Sequence, residues 1–162
     1  MFRRSKTGPP AASGQCLFLS PEWIHEVAAA VRRALGSDLY FRNLASMFTL
    51  RFACLVRDLP PELRQAYGAE VAVIVVNLQG GNVRKVEIRD EVPRDNIDLV
   101  ITSDYRVAKG ILLGRLSAPG SFLSGKVRVQ PVNGLRRQLS IAKSLVTASE
   151  VVKIARQVPA AF

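Results

Sequence analysis

His25 is the only histidine in the chain, and no serine or cysteine motif stands near it that would make it the base of a nucleophilic pair. No Gly-x-Ser-x-Gly occurs, so His25 reads as a structural or surface histidine and catalysis finds no residue set to carry it. Asp90, Glu91, Asp95 and Asp98 cluster in sequence, as metal ligands or a pair of acids would. They lack the regular spacing and turn glycine of a calcium loop, and a solvated loop is the favoured reading. Cys16 and Cys54 are the only two thiols, too few for a disulfide framework or a cysteine metal site, and a reducing cytoplasm is the simplest location. Glycines 80, 81, 110, 114, 120, 125 and 134 never fall into a phosphate-binding pattern and are assigned to turns and caps. No catalytic residue, metal or cofactor is therefore expected.

Charge is the next feature with chemical content. The chain of 162 residues carries a net charge of +10 and is 48% hydrophobic. Ten Lys or Arg and one acid, Glu150, lie between Tyr105 and Phe162, while the preceding residues carry thirteen basic and twelve acidic side chains. Nearly all the excess sits in the last third and would attract an anionic partner there, with solubility alone as the competing account. The aromatics of that third are Tyr105, Phe122 and Phe162, without the interleaving of aromatic and basic residues that stacks bases, so a specific nucleic-acid site is not expected. No apolar run approaches the roughly 20 residues that cross a bilayer. Arg3, Arg4 and Lys6 are followed by Thr-Gly-Pro-Pro rather than an apolar segment, and no export signal is read.

The elements that must position these residues follow from periodicity. Residues 1–17 are read as a disordered basic tail and 18–162 as one domain. Ser20 caps a helix that begins at Pro21, carries Trp23, Ile24, Val27, Ala28, Val31 and Leu35 on one face, and stops at Gly36. A second short helix is placed between Asp38 and Met47. Phe48, Leu50, Phe52, Cys54 and Val56 alternate with more polar neighbours as a strand burying its even-numbered face. After a helical turn over 61–67, the apolar run 71–76 reads as a central strand covered on both faces, and Gln79-Gly-Gly-Asn turns it into an edge strand carrying Val83, Val86 and Ile88.

The stretch 96–130 organises the rest. Ile97, Leu99 and Ile101 alternate as a strand, and Ser103 or Asp104 caps a helix in which Val107 stacks on Ile111 and Ala108 on Leu112 until Gly114. A short apolar turn carries Phe122 and Leu123, and Gly125 releases the chain into a strand at Lys126–Val129. Beyond it, Leu135, Leu139, Ala142 and Val146 predict a helix, and Ser149 caps a last one that Pro159 ends.

Asp98 in a short strand, the Asp-initiated helix ending in Gly114-Arg115-Leu116, and above all Phe122-x-x-Gly125-Lys126 with the strand after it resemble the sterol carrier protein 2 family. The likeness extends more weakly from about Phe18 to Ile154. Where that family leads from the last strand into Gly-Asp, this chain has Gln130-Pro131-Val132-Asn133-Gly134. The resemblance implies an α+β fold: a five-stranded, partly antiparallel sheet with helices on one face enclosing an apolar cavity. It implies a noncatalytic, intracellular lipid-binding or transfer protein holding an acyl chain, a fatty acyl-CoA or a sterol-like molecule. Cavity lining is assigned to Phe48, Phe52, Val107, Ile111, Leu112, Phe122, Leu135 and Leu139. Docking on an anionic membrane is assigned to Arg106, Lys109, Arg115, Arg136, Arg137 and Lys143. A filled-core interaction module, acting as a homodimer or beside a lipid-metabolising enzyme, and a basic polyanion binder are the alternatives.

Overall fold

The computed structural model describes residues 15–132 and 141–162. The element order is β1 (Cys16–Leu17), α1 (Pro21–Ser37), α2 (Leu39–Ala45), β2 (Leu50–Arg57), α3 (Pro61–Tyr67), β3 (Ala72–Gln79) and β4 (Asn82–Arg89). Then come β5 (Leu99–Asp104), α4 (Tyr105–Leu112), α5 (Ala118–Leu123), β6 (Arg128–Pro131), α6 (Ile141–Arg156) and β7 (Ala160–Ala161). The expected α+β architecture is observed, with a five-stranded mixed sheet in the order β4-β3-β2-β5-β6. β2 runs parallel to β5 and antiparallel to β3, and the remaining two pairings are antiparallel.

The helix ends follow local chemistry. Ser20 Oγ accepts the Trp23 N–H at 3.2 Å, and Pro21 fills the first helical position of α1. Asp38 Oδ1 accepts the Phe41 N–H at 3.0 Å, which starts α2. The hairpin between β3 and β4 turns on Gly80 and Gly81, both at positive φ, and a Cβ on Gly81 would lie 2.5 Å from the Ala45 carbonyl group. Glycine is required there twice, by conformation and by the close approach of α2.

Three expectations need correction. The run 71–76 is covered on both faces, since Ala72, Val73, Ile74 and Val75 are all buried, but its strand, β3, lies next to the β4 edge and the middle strand is β2. Ser149 starts no new helix: its hydroxyl donates to the Leu145 carbonyl at 2.9 Å inside a continuous α6, as Thr147 does to Lys143 at 2.8 Å. Such bonds satisfy the hydroxyl without ending the helix. Asp104 precedes α4 but its carboxylate caps no N–H; it turns to Arg57, 3.6 Å away.

Residues 1–14 of the expected tail lie outside the described residues, while Cys16 and Leu17 are ordered, paired in parallel with Ala160 and Ala161 as β1 and β7. The part of the predicted 135–146 helix before Ile141 also falls outside them. No helix among the described residues is long and apolar enough to cross a membrane.

The helices lie on the face of the sheet formed by even-numbered residues of β2. At one end Phe18, Leu19, Trp23, Tyr105 and Ala155 pack on Val56 and Ala72. Phe18 meets Trp23 edge-on at 5.0 Å between ring centroids, and Tyr67 reaches across to donate its hydroxyl to the Leu19 carbonyl. α6 is held over this layer mainly by α1, α2, α4 and α5 rather than by strands. Its Arg156 donates from Nε to the Leu112 carbonyl at 2.9 Å and from Nη2 to the Ile111 carbonyl at 2.8 Å, satisfying the open C-terminus of α4.

Candidate functional site: the layer between helices and sheet

The register places Phe52, Cys54, Val76, Leu99 and Ile101 on one face of the three inner strands, beneath the helices. In a solid core these would be the most buried side chains of the chain. Leu99 and Ile74, the partner of Cys54, are buried, whereas Phe52, Cys54, Val76 and Ile101 are half-buried, Phe52 and Ile101 packing against the cluster of Phe48, Leu50 and Leu99. Burial pushes the pKa of the Cys54 thiol up to about 12.

The buried apolar residues on this side agree. They fall into three separate groups: one around Trp23 and Leu63, one of Val31, Leu35, Phe41 and Ala45, and one of Phe48, Leu50 and Leu99. Half-buried residues lie between them. Val107 and Ile111 of α4 and Phe122 of α5 are half-buried and join none of these groups, whereas Leu112 packs against the first. Gly110 lets Leu116 fold back on α4, since a Cβ there would stand 2.9 Å from Leu116 Cδ1.

Of the residues assigned to the cavity, Phe52 lies on the helix side of β2, Leu112 packs against the group that holds Val56, and Val107, Ile111 and Phe122 are half-buried on α4 and α5. Phe48 is 8% exposed and packed on Leu50 and Leu99, part of the layer's closed end rather than of a wall. Leu135 and Leu139 lie outside the described residues. Periodicity did not single out Cys54, Val76 and Ile101 as wall residues. The signal was present in the strand pairing, because the even residues of β2 carry the odd residues of β5 to the same face.

Of the residues assigned to membrane docking, Arg106 and Arg115 are exposed on α4 and the turn after it, and Lys143 is exposed on α6. Lys109 is half-buried, with Nζ 5.0 Å from the centroid of the Phe162 ring, a cation–π contact that draws its charge toward the end of the chain. Arg136 and Arg137 lie outside the described residues.

The opposite face of the sheet carries a different feature. A hollow of about 340 Å³ is lined by Arg51, Val75, Asn77, Lys85, Glu87 and Asn96. Glu87 stands between Lys85 at 2.6 Å, Arg89 at 2.9 Å and Arg51 at 3.5 Å, and hydrogen bonds from Lys85 and Arg89 hold its carboxyl down at about 2. So acidic a group is a poor base at neutral pH. The charged lining does not suit an apolar molecule. His25 is exposed on α1, and among the described residues no three His, Cys, Asp or Glu side chains gather to hold a metal ion.

Comparison with solved structures decides what this arrangement is. A conserved hypothetical protein of Thermus thermophilus, described as possibly a sterol carrier protein, matches with a TM-score of 0.65 at 25% identity, over 95% of this chain and 97% of that one. The crystal structure of a sterol carrier protein 2 matches with a TM-score of 0.62 at 24% identity, over 82% and 95% of the two chains. This is an SCP2-like domain. No family model and no curated protein matches the sequence. The SCP2-like structural neighbours support a lipid-binding fold.

Proposed function

We propose that this SCP2-like domain is a noncatalytic intracellular carrier that shelters an acyl chain, a fatty acyl-CoA or a sterol-like molecule between its helices and its sheet. The observation that supports the reading is the fold shared with sterol carrier protein structures, with Phe52, Cys54 and Ile101 half-buried on the helix side of its sheet. Phe52, Val107, Ile111, Leu112 and Phe122 supply walls, and Leu135 and Leu139 join them on the strength of their spacing in the sequence.

Transfer follows from the energetics of the guest. Exposing one methylene to water costs roughly 0.8 kcal/mol, so a sixteen-carbon chain leaving a membrane unaided faces a cost of order 10 kcal/mol. An apolar layer that accepts the chain at the membrane surface removes much of that barrier with no bond made or broken. Arg106, Arg115, Lys143 and, from the sequence, Arg136 and Arg137 hold the carrier on anionic headgroups, with Lys109 adding its charge behind them.

Native mass spectrometry of protein purified without detergent tests the carrier role, followed by solvent extraction of whatever apolar molecule accompanies it. A stoichiometric adduct that extracts as lipid is expected. A bare mass that stays unchanged after incubation with fatty acid, acyl-CoA and sterol would refute it in favour of a filled-core interaction module.

A further inference from the structure

α5 places two neighbouring apolar side chains in opposite surroundings. Phe122 is half-buried, whereas Leu123 is 76% exposed, more than any other large apolar residue among those described. Leu113, at the end of α4, is 41% exposed, and Val129 of β6 is 37% exposed. The segment that holds them is braced. Ser117 Oγ accepts the Gly120 N–H at 2.9 Å, the Val127 N–H donates to the Ser121 carbonyl at 3.0 Å, and α5 packs on α6. Leu123 is therefore presented by a fixed element. Leaving it in water is an unrecovered cost unless something apolar covers it.

The charges around it choose the partner. From Tyr105 to Val132 the chain has no carboxylate, and Arg115 and Lys126 flank α5 on either side in the chain, both exposed. A second copy would bring the same cations against them. A nucleic acid would satisfy the cations but leave Leu123 uncovered, and the exposed Phe162 is already engaged by Phe18 and Lys109. A bilayer with anionic headgroups meets both requirements, pairing phosphates with the cations and receiving Leu123 and Leu113 below them.

We infer that α5 is an apolar wedge that enters an anionic bilayer, with Leu123 as its principal inserting side chain. For its purpose the inference rests on the carrier reading, which assigns the neighbouring Phe122 to the cavity wall and so sets that wall beside the membrane from which a guest would come. The contact itself needs no guest.

The test uses the full chain and sedimentation with vesicles of phosphatidylcholine alone or of equal parts phosphatidylcholine and phosphatidylserine. The parent is expected to bind the mixed vesicles, and Leu123→Ser to bind them about tenfold or more weakly, a loss that persists in high salt. Lys126→Ser is expected to weaken binding about fivefold in low salt, with the difference disappearing as salt screens it. Equal binding by Leu123→Ser and the parent overturns the wedge, as does failure of the parent to bind the mixed vesicles. A parent dimer that Leu123→Ser converts to a monomer also overturns it, making the surface an interface between copies. Native mass spectrometry of the same samples separates the two proposals. A Leu123→Ser defect in a protein that carries no lipid leaves the wedge standing and removes the carrier. A bound lipid with no such defect does the reverse.

Discussion

The two faces of the sheet are built from the same strands and end in different conditions. On the face away from the helices, Ala53, Val73, Val75 and Ile97 are each 3% exposed or less, closed over by the loop that carries Val92 and Ile97. On the helix side, residues one step along the same strands, Phe52, Cys54 and Val76, stay accessible although helices lie over that face. Each face is therefore closed in part: beneath the helices Leu50, Val56, Ala72, Ile74 and Leu99 are buried, while the loop seals the centre of its side around Ile97 and leaves Leu55 and Val100 half-buried and Val75 on the border of the hollow. Helices held mainly by one another can span a gap, because their mutual packing and links such as Arg156 to the end of α4 keep them in place without filling the space beneath.

The largest test of this difference is a pair of truncations. Ile97→Ala, on the sealed face, removes methyl groups from a site that is 3% exposed and should cost about 2–5 kcal/mol in chemical denaturation. Ile101→Ala, on the helix side of β5, removes the same atoms from a side chain that keeps accessible surface and should cost about 1 kcal/mol. Equal losses would mean that the helix side is as solidly packed as the other, and the carrier reading would fall with the gap.

Cys54 sharpens the comparison from inside the layer. A thiol reacts as its thiolate, and raising the pKa from 9.0 to about 12 lowers the thiolate fraction about a thousandfold near neutral pH. Small alkylating reagents should therefore label Cys54 about a thousandfold more slowly than an ordinary free thiol, with the rate still rising as pH climbs past about 9. A bound fatty acid should slow it further by occupying the space the reagent needs. Labelling followed by peptide mass spectrometry reads both effects, and indifference to fatty acid would place Cys54 away from the guest.

Much of the fold was legible because local rules and tertiary context agreed. The Ser20–Pro21 start of α1, the Gly80–Gly81 hairpin and the strand–helix–helix–strand order after Asn96 needed only capping, turn chemistry and periodicity. A cavity is not legible in the same way. Phe52 and Cys54 alternate in β2 as residues of a filled core would, and nothing in a two-residue period distinguishes a side chain touching a helix from one facing a gap. The end-to-end pairing of β1 with β7 was hidden for a different reason: two residues carry no period, and their partners lie at the other end of the chain. Ser149 misled because a serine before an apolar run is equally at home bonding back to the preceding turn. The family likeness, rather than any pattern of apolar residues, raised the expectation of a cavity.

The smallest expected effect concerns the rim of the sealed face, where Glu87 faces Lys85, Arg89 and Arg51. Its folded pKa of about 2 lies below the ordinary 4.5, so between those values the native state binds fewer protons than the unfolded chain. The stabilisation is complete above pH 4.5 and is lost as pH falls through about 2. Glu87→Gln should unfold at lower urea than the parent at neutral pH, with the two midpoints converging across that acid window. These side chains are partly solvated and screened, which keeps the gap small. A gap that stayed constant into acid would mean that Glu87 acts through shape rather than charge. The sealed face would then owe its closure to the packing of Ile97 and Val92 alone, and the contrast between the two faces would be one of packing with no electrostatic part.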